Sequence, residues 1–278
     1  MAERARPPRP SVINSARTRL GHFQRLSGDP ALALATLHLA VAEAVRVYGP
    51  HHPDTAVAHF ALGPALADDK PDEAIAELRQ SLEIRRAAFP GGSLPVAESL
   101  LGLGDALSTK GHDAEAIVAL DDALAILDKI HESESPQAVN AHVMIGMALE
   151  QVKRAEQALP HYLRAADITE RSEQHREAVT AMALRLAASV EANHDHAGLG
   201  VLQLERALRL LERGKASPAD LGKTQYDLSE LLLAIKPPDL PRARAMAETA
   251  RASLTAAGPA GAEDLALTEK FMHAHHWQ

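Results

Sequence analysis

Apolar residues recur three and four positions apart along most of this 278-residue chain, a spacing that places each set on one face of an α-helix. The stretch from Leu100 to Leu127 shows the unit most plainly. Leu100, Leu101, Leu103, Ala106 and Leu107 form one set, and Ala116, Ile117, Leu120, Leu124 and Leu127 form a second. Between them lies the polar break Ser108-Thr109-Lys110-Gly111-His112-Asp113. Gly111 is expected to free the turn, and Asp113 to cap the second helix with a side-chain oxygen. The pattern predicts a helical hairpin whose helices approach most closely at the small residues Gly104, Ala116 and Ala123.

The hairpin repeats. Gly21, Gly63, Gly104, Gly146, Ala187 and Ser229 share one small position in six first helices, 41 or 42 residues apart. The second helices carry Ala33, Ala74, Ala116, Ala158, Gly200 and Ala243 in one row, and Ala40, Ser81, Ala123, Ala165, Ala207 and Ala250 in another. A single hairpin cannot bury its apolar face alone, so neighbours must stack into a continuous core. The fold expected is all-α: an α-solenoid of about six hairpins over residues 14–257. Residues 1–13, rich in Arg and Pro, read as a disordered leader, and residues 258–278 as a C-terminal capping helix and tail. Pro64 predicts a kink in its helix. Pro71 and Pro160 fall near helix starts, where the missing donor matters little. Asn193 to Gly200 reads as a loose turn.

Spacing and residue types resemble the tetratricopeptide repeat in the longer form, with a period of 41 or 42 residues here, that kinesin light chains carry. His52-Pro53-Asp54-Thr55-Ala56 matches that family's Pro-Asp lead-in to the first helix, and Ser135-Pro136-Gln137-Ala138 matches it weakly. The resemblance implies a scaffold or adaptor that binds a peptide or protein in a concave groove lined by first-helix side chains. With Gly104 as the eighth position, the family's groove positions are the second, fifth, ninth and twelfth. They fall on Glu98, Leu101, Asp105 and Ser108 in the third hairpin, and on Asn140, Val143, Met147 and Glu150 in the fourth. In the fifth they are Ala181, Leu184, Ala188 and Glu191, and in the sixth Lys223, Tyr226, Glu230 and Leu233. Five carboxylates against one lysine imply an acidic groove with an apolar floor, suited to a segment carrying Arg or Lys beside apolar anchors. Similar arrays are attached to bacterial serine/threonine kinases and regulators. The alternative implied is a C-terminal docking or regulatory fragment of such a signalling protein.

Composition narrows the function classes. Only 3% of residues are aromatic against 46% hydrophobic, so packing must rely on Ala and Leu. Cysteine is absent, which removes disulfides, thiolate metal sites and thiol nucleophiles, and suits a reducing cytoplasm. No unbroken apolar run approaches the roughly 18 residues of a membrane span, and no signal peptide is visible, so neither a membrane nor secretion is expected. Up to Arg25 six arginines face only Glu3, about +5, which leaves about −13 in the remainder of a chain of net charge −8. Without a basic stripe beyond that point, nucleic acid is not the expected partner.

Catalytic and metal motifs are likewise lacking. Gly102-Leu103-Gly104 has no third glycine, and Lys215 has no upstream glycine to complete a phosphate loop. His194 with His196, and His273 with His275 and His276, lack an evident completing carboxylate or thiol. No kinase motif or nucleophile triad is present. The chain is therefore expected to be neither an enzyme nor dependent on a cofactor or metal. Pairing of an exposed first hairpin with a second copy is left open.

Overall fold

The computed structural model describes residues 10–172, 177–194 and 196–277, and among these only helices and turns occur. They group into two compact units, divided in sequence between Met144 and Ile145. The first holds α1 (Pro10–Leu26), α2 (Pro30–Tyr48), α3 (Pro53–Leu66), α4 (Pro71–Ala88), α5 (Leu94–Thr109), α6 (Asp113–Lys129) and the first part of α7 (Pro136–Gln151). The second holds the remainder of α7, then α8 (Ala155–Arg171), α9 (Glu177–Asn193), α10 (Ala197–Arg213), α11 (Pro218–Ala234) and α12 (Leu240–Ala257). A 3-10 turn at Gly258–Gly261 leads into α13 (Ala262–Ala274), which packs on α12. The expected all-α hairpin architecture is the one observed.

Helices pair as α1/α2, α3/α4 and α5/α6 in the first unit, and as α9/α10 and α11/α12 in the second. In four of the later hairpins the first helix lies on the preceding second helix: α3 on α2, α5 on α4, α9 on α8 and α11 on α10. The repeated small position explains the pairing. A Cβ added to Gly21 or Gly63 would lie 2.5 Å from Cγ of Leu37 or Leu78, and one added to Gly104 would lie 2.6 Å from Cγ of Leu120. At Gly146 the ring of Tyr162 occupies the same place. Each of the first four hairpins thus seats one large side chain from its second helix in a socket that only a missing side chain can provide. In the last hairpin Ser229 takes this position, and its Oγ donates to the Ala243 carbonyl at 2.8 Å.

Helix ends follow local chemistry. Asp29 and Asp239 accept from the amides of Leu32 (3.1 Å) and Arg242 (3.2 Å), and Ser217 accepts from that of Asp220 (3.1 Å). Proline opens α2, α3, α4 and α11, where its missing N–H costs nothing. Gly111 has φ of 81°, the left-handed turn expected of it.

Four sequence expectations are corrected, and Pro64 is placed. Asp113 is the first residue of α6 and His112 its N-cap, so the carboxylate acts through the helix dipole without a capping bond. Gly198 and Gly200 lie inside α10; the loose turn shrinks to the residues beside Asp195, itself outside the described residues. Gly200 is needed there because a Cβ would stand 2.9 Å from the Ala188 carbonyl oxygen. Pro64 lies within one continuous helix, α3, two residues before its end. Helix α1 begins at Pro10, four residues before the expected start, as proline fits a first turn; residues 1–9 of the expected leader lie outside the described residues. Finally, α2 is long and apolar enough to cross a membrane by length and composition, which counting unbroken apolar residues overlooks. One face of it, Ala33, Leu37, Ala40 and Ala44, is buried in the first unit.

Candidate partner-binding site

The expected groove residues divide into those that converge and those already engaged. In the first unit Glu98, Leu101 and Asp105 of α5 line one recess with Asn140 of α7. Phe60 of α3, Gly102 of α5 and Met144 of α7 complete its wall, around a cavity of about 390 Å³. Helix periodicity puts Glu98, Leu101 and Asp105 on one side of α5, three and four residues apart. Leu101 is buried and forms the floor, whereas Asp105 and Asn140 are exposed at the rim. Gly102 keeps the wall low: a Cβ there would stand 3.2 Å from the Phe60 ring.

A buried arginine underlies this recess. Arg85 of α4 donates to the Pro95 carbonyl at 2.6 Å and to Ser99 Oγ at 3.0 Å. Its guanidinium also lies 4.6 Å over the Phe60 ring centroid and 3.8 Å from Glu98. Burial lowers the Arg85 pKa and Glu98 partly restores it. Glu98 therefore arrives at the recess with a counter-charge. Asp105 does not: among the described residues it has no hydrogen-bond or ion-pair partner. Desolvation first, and then the nearby Asp68 carboxylate, push its pKa above the ordinary 3.8. A cation entering the recess would relieve both.

Elsewhere the expected acids are satisfied internally. The Tyr162 hydroxyl donates to Glu150 at 2.5 Å, so burial and then this bond raise the phenol's pKa. Tyr226 donates likewise to Glu230 at 2.8 Å. Glu191 is buried and paired with His196 Nδ1 at 3.1 Å, and Leu184 is fully buried. Neither of these two side chains is offered to solvent. Val143 is buried too, and Met147 is exposed. In the second unit Arg185 and Asp227 close the same row with an ion pair at 2.5 Å. Gly102 and Met144 hold the corresponding position in the first unit and leave it open.

Phe60, Gly102 and Met144 were missed from sequence. Phe60 was within reach: it stands in the second hairpin where Leu101 and Val143 stand in the next two. Gly102 and Met144 occupy the sixth position, which lies beside the groove row and carries no signal of its own. The histidine groups bring no metal set together. His194 Nδ1 meets the Val190 carbonyl at 2.8 Å, and His275 stacks on Trp277 at 5.1 Å between ring centroids. Among the described residues no three His, Cys, Asp or Glu side chains are placed to share an ion.

Comparison with known proteins bears on the fold. The sequence model of the tetratricopeptide repeat family matches residues 12–87 and 65–129. No curated protein sequence gives a match. Among solved structures, BtubC (BKLC) from P. vanneervenii aligns with TM-score 0.70 at 20% identity, covering 81% of this chain and 91% of that one. A P. anserina protein described as a kinesin light chain with nearly identical TPR-like repeats aligns with TM-score 0.59 at 20% identity, covering 79% and 99%. The quorum sensor NprR from B. thuringiensis, in its apo form, aligns with TM-score 0.71 at 13% identity, covering 98% and 73%. NprR in complex with its cognate peptide NprX aligns with TM-score 0.55 at 13% identity, covering 99% and 76%. Residues 12–129 thus match the tetratricopeptide repeat family, and the described chain has the fold of solved structures with tetratricopeptide-like repeats.

Proposed function

We propose that the chain is a protein-interaction scaffold whose docking site is the recess of the first unit, and that it takes a peptide segment presenting Arg or Lys beside apolar residues. The observation that carries this reading is Asp105, an unpaired carboxylate with a raised pKa above an apolar floor of Leu101, Phe60 and Met144. An aliphatic stem would lie on that floor while its cationic head sits between Asp105 and Glu98. The Asn140 amide has a donor and an acceptor to offer the peptide backbone. Binding of this kind needs no bond chemistry, only a preformed shape and charge. That NprR, of similar fold, is known with its cognate peptide supports a peptide as the ligand class.

The test uses the full chain and two end-blocked peptides, one with arginine between leucines and the other with glutamate there. Calorimetry should show binding of the arginine peptide alone, weakening as salt rises. Asp105→Asn should cut its affinity by about tenfold, the scale of one charge-assisted contact. Preference for the glutamate peptide, or unchanged affinity in Asp105→Asn, refutes the reading.

A further inference from the structure

The first hairpin exposes an apolar face to which both of its helices contribute. Leu20, Phe23, Leu32 and Leu39 are 50, 66, 50 and 60% exposed. The repeat register shows which way they look. The position of Leu20 is held later by Leu62, Leu103, Ile145 and Leu228, all buried, and that of Phe23 by the buried Ala106, Ala148 and Leu231. In later hairpins this side of the first helix meets the preceding second helix: α5 lies on α4, and Leu103 lines one depression with Leu82. Among the described residues no helix precedes α1.

Leu32 and Leu39 look toward the same side. Later second helices are joined by ion pairs, each running from one hairpin to the next. Arg79 and Arg86 of α4 reach Glu115 (3.3 Å) and Asp122 (2.9 Å) of α6. Asp167 and Glu170 of α8 hold Arg206 of α10, and Glu205 of α10 holds Arg242 of α12 at 2.5 Å. The receiving residues occupy only two register positions, Glu115 and Arg242 at one, Asp122 and Arg206 at the other. In α2 those two positions are Leu32 and Leu39.

We propose that this face is a self-association surface, on which a second copy of the chain docks first hairpin to first hairpin about a twofold axis. A hairpin of the ion-paired kind set here would press charged residues onto leucines and leave them desolvated without partners. A second copy offers leucine and phenylalanine to leucine and phenylalanine, with no charge at either receiving position. Around the face Arg19, Arg25 and Arg46 outnumber Asp29, while Arg17 and Glu43 neutralise each other. Two copies therefore repel at the rim, and added salt should tighten the dimer. That sign is opposite to the one expected at the Asp105 recess.

Sedimentation equilibrium of the full chain over the micromolar range tests this. The wild type should be a monomer–dimer mixture that shifts toward dimer in high salt. Leu32→Glu with Leu39→Asp, the residues of the third hairpin at these positions, should give a monomer with unchanged helical circular dichroism. Val118→Glu, at an exposed apolar residue of α6, should leave the dimer intact. Because the chain has no cysteine, Leu32→Cys and Leu39→Cys provide a second reading. One of them should form a disulfide-linked dimer under mild oxidation, and Val118→Cys should not. A wild type that stays monomeric, a dimer that survives the double substitution, or equal cross-linking through Val118→Cys overturns the proposal. So does a monomer that binds anionic vesicles through Leu32 and Leu39, which would give the face to a lipid surface.

Discussion

At the scale of single residues, the sockets that hold each hairpin together set the tolerance to substitution. Gly104→Ala would force its Cβ into Leu120, whose Cγ stands 2.6 Å from that point. Overpacking of this kind costs about 1–3 kcal/mol, and chemical denaturation should register it. Leu120→Ala alone leaves a cavity, but combined with Gly104→Ala the two losses should not add, because the new methyl fills part of the space. Ala116→Leu and Ala158→Leu, at fully buried crossings, should lower the melting temperature; unchanged melting of both would place the register elsewhere. Asp105 offers a test of another kind. Its folded pKa is raised above the ordinary 3.8 of an aspartate, so its contribution to stability is fully present below that value and is lost as pH rises through the folded value. Asp105→Asn should then be more stable than wild type at neutral pH, with the gap closing in acid. A constant gap from neutral to acid pH would remove the argument that Asp105 is held charged at a cost.

Among elements, the helices were legible because hairpin, turn and socket each leave a mark in the sequence. Glycine and alanine recur in phase, and prolines sit at helix starts. What the sequence could not show is which groove acids stay free. For Glu98, Glu150 and Glu191 that depends on what lies beyond their own helix: Arg85 from α4 for Glu98, Tyr162 from α8 for Glu150, His196 past the end of α9 for Glu191. No spacing within one helix encodes such a partner. The ion pairs linking α4 to α6 are exposed, so they are worth little individually. Arg86→Ala should change stability by less than about 1 kcal/mol and the change should vanish at high salt; a larger, salt-independent loss would mean the guanidinium stem carries packing. At the other end of the chain Phe271 of α13 stands edge-on to Tyr226 of α11 and to Trp277, each at 5.6 Å between centroids. Trp277 is the single tryptophan of the chain. Its fluorescence should therefore report the release of α13, and in urea it should change before far-ultraviolet circular dichroism does, as terminal elements of repeat proteins open first. Coincident curves would show α13 to be as firmly held as the interior helices.

For the molecule as a whole, the same small position recurs every 41 or 42 residues, and that has a consequence for how such a chain can change in length. Gly63 and Gly104 are equivalent points 41 residues apart, each seating one leucine of its own second helix. Excising residues 63–103 would splice the start of α3 onto the end of α5 with Gly104 still facing Leu120. The spliced helix keeps its phase, because 41 residues carry the chain from one socket to the next. A cut a residue or two longer would rotate the seam by about 100° per residue and turn the glycine away from its leucine. Gain and loss of hairpins is thus quantised in this chain: a gene that shortens or lengthens by whole repeats keeps each socket aligned, whereas a single codon gained or lost inside a helix turns the socket away, and the one-residue difference between repeats of 41 and 42 has to be absorbed in a turn.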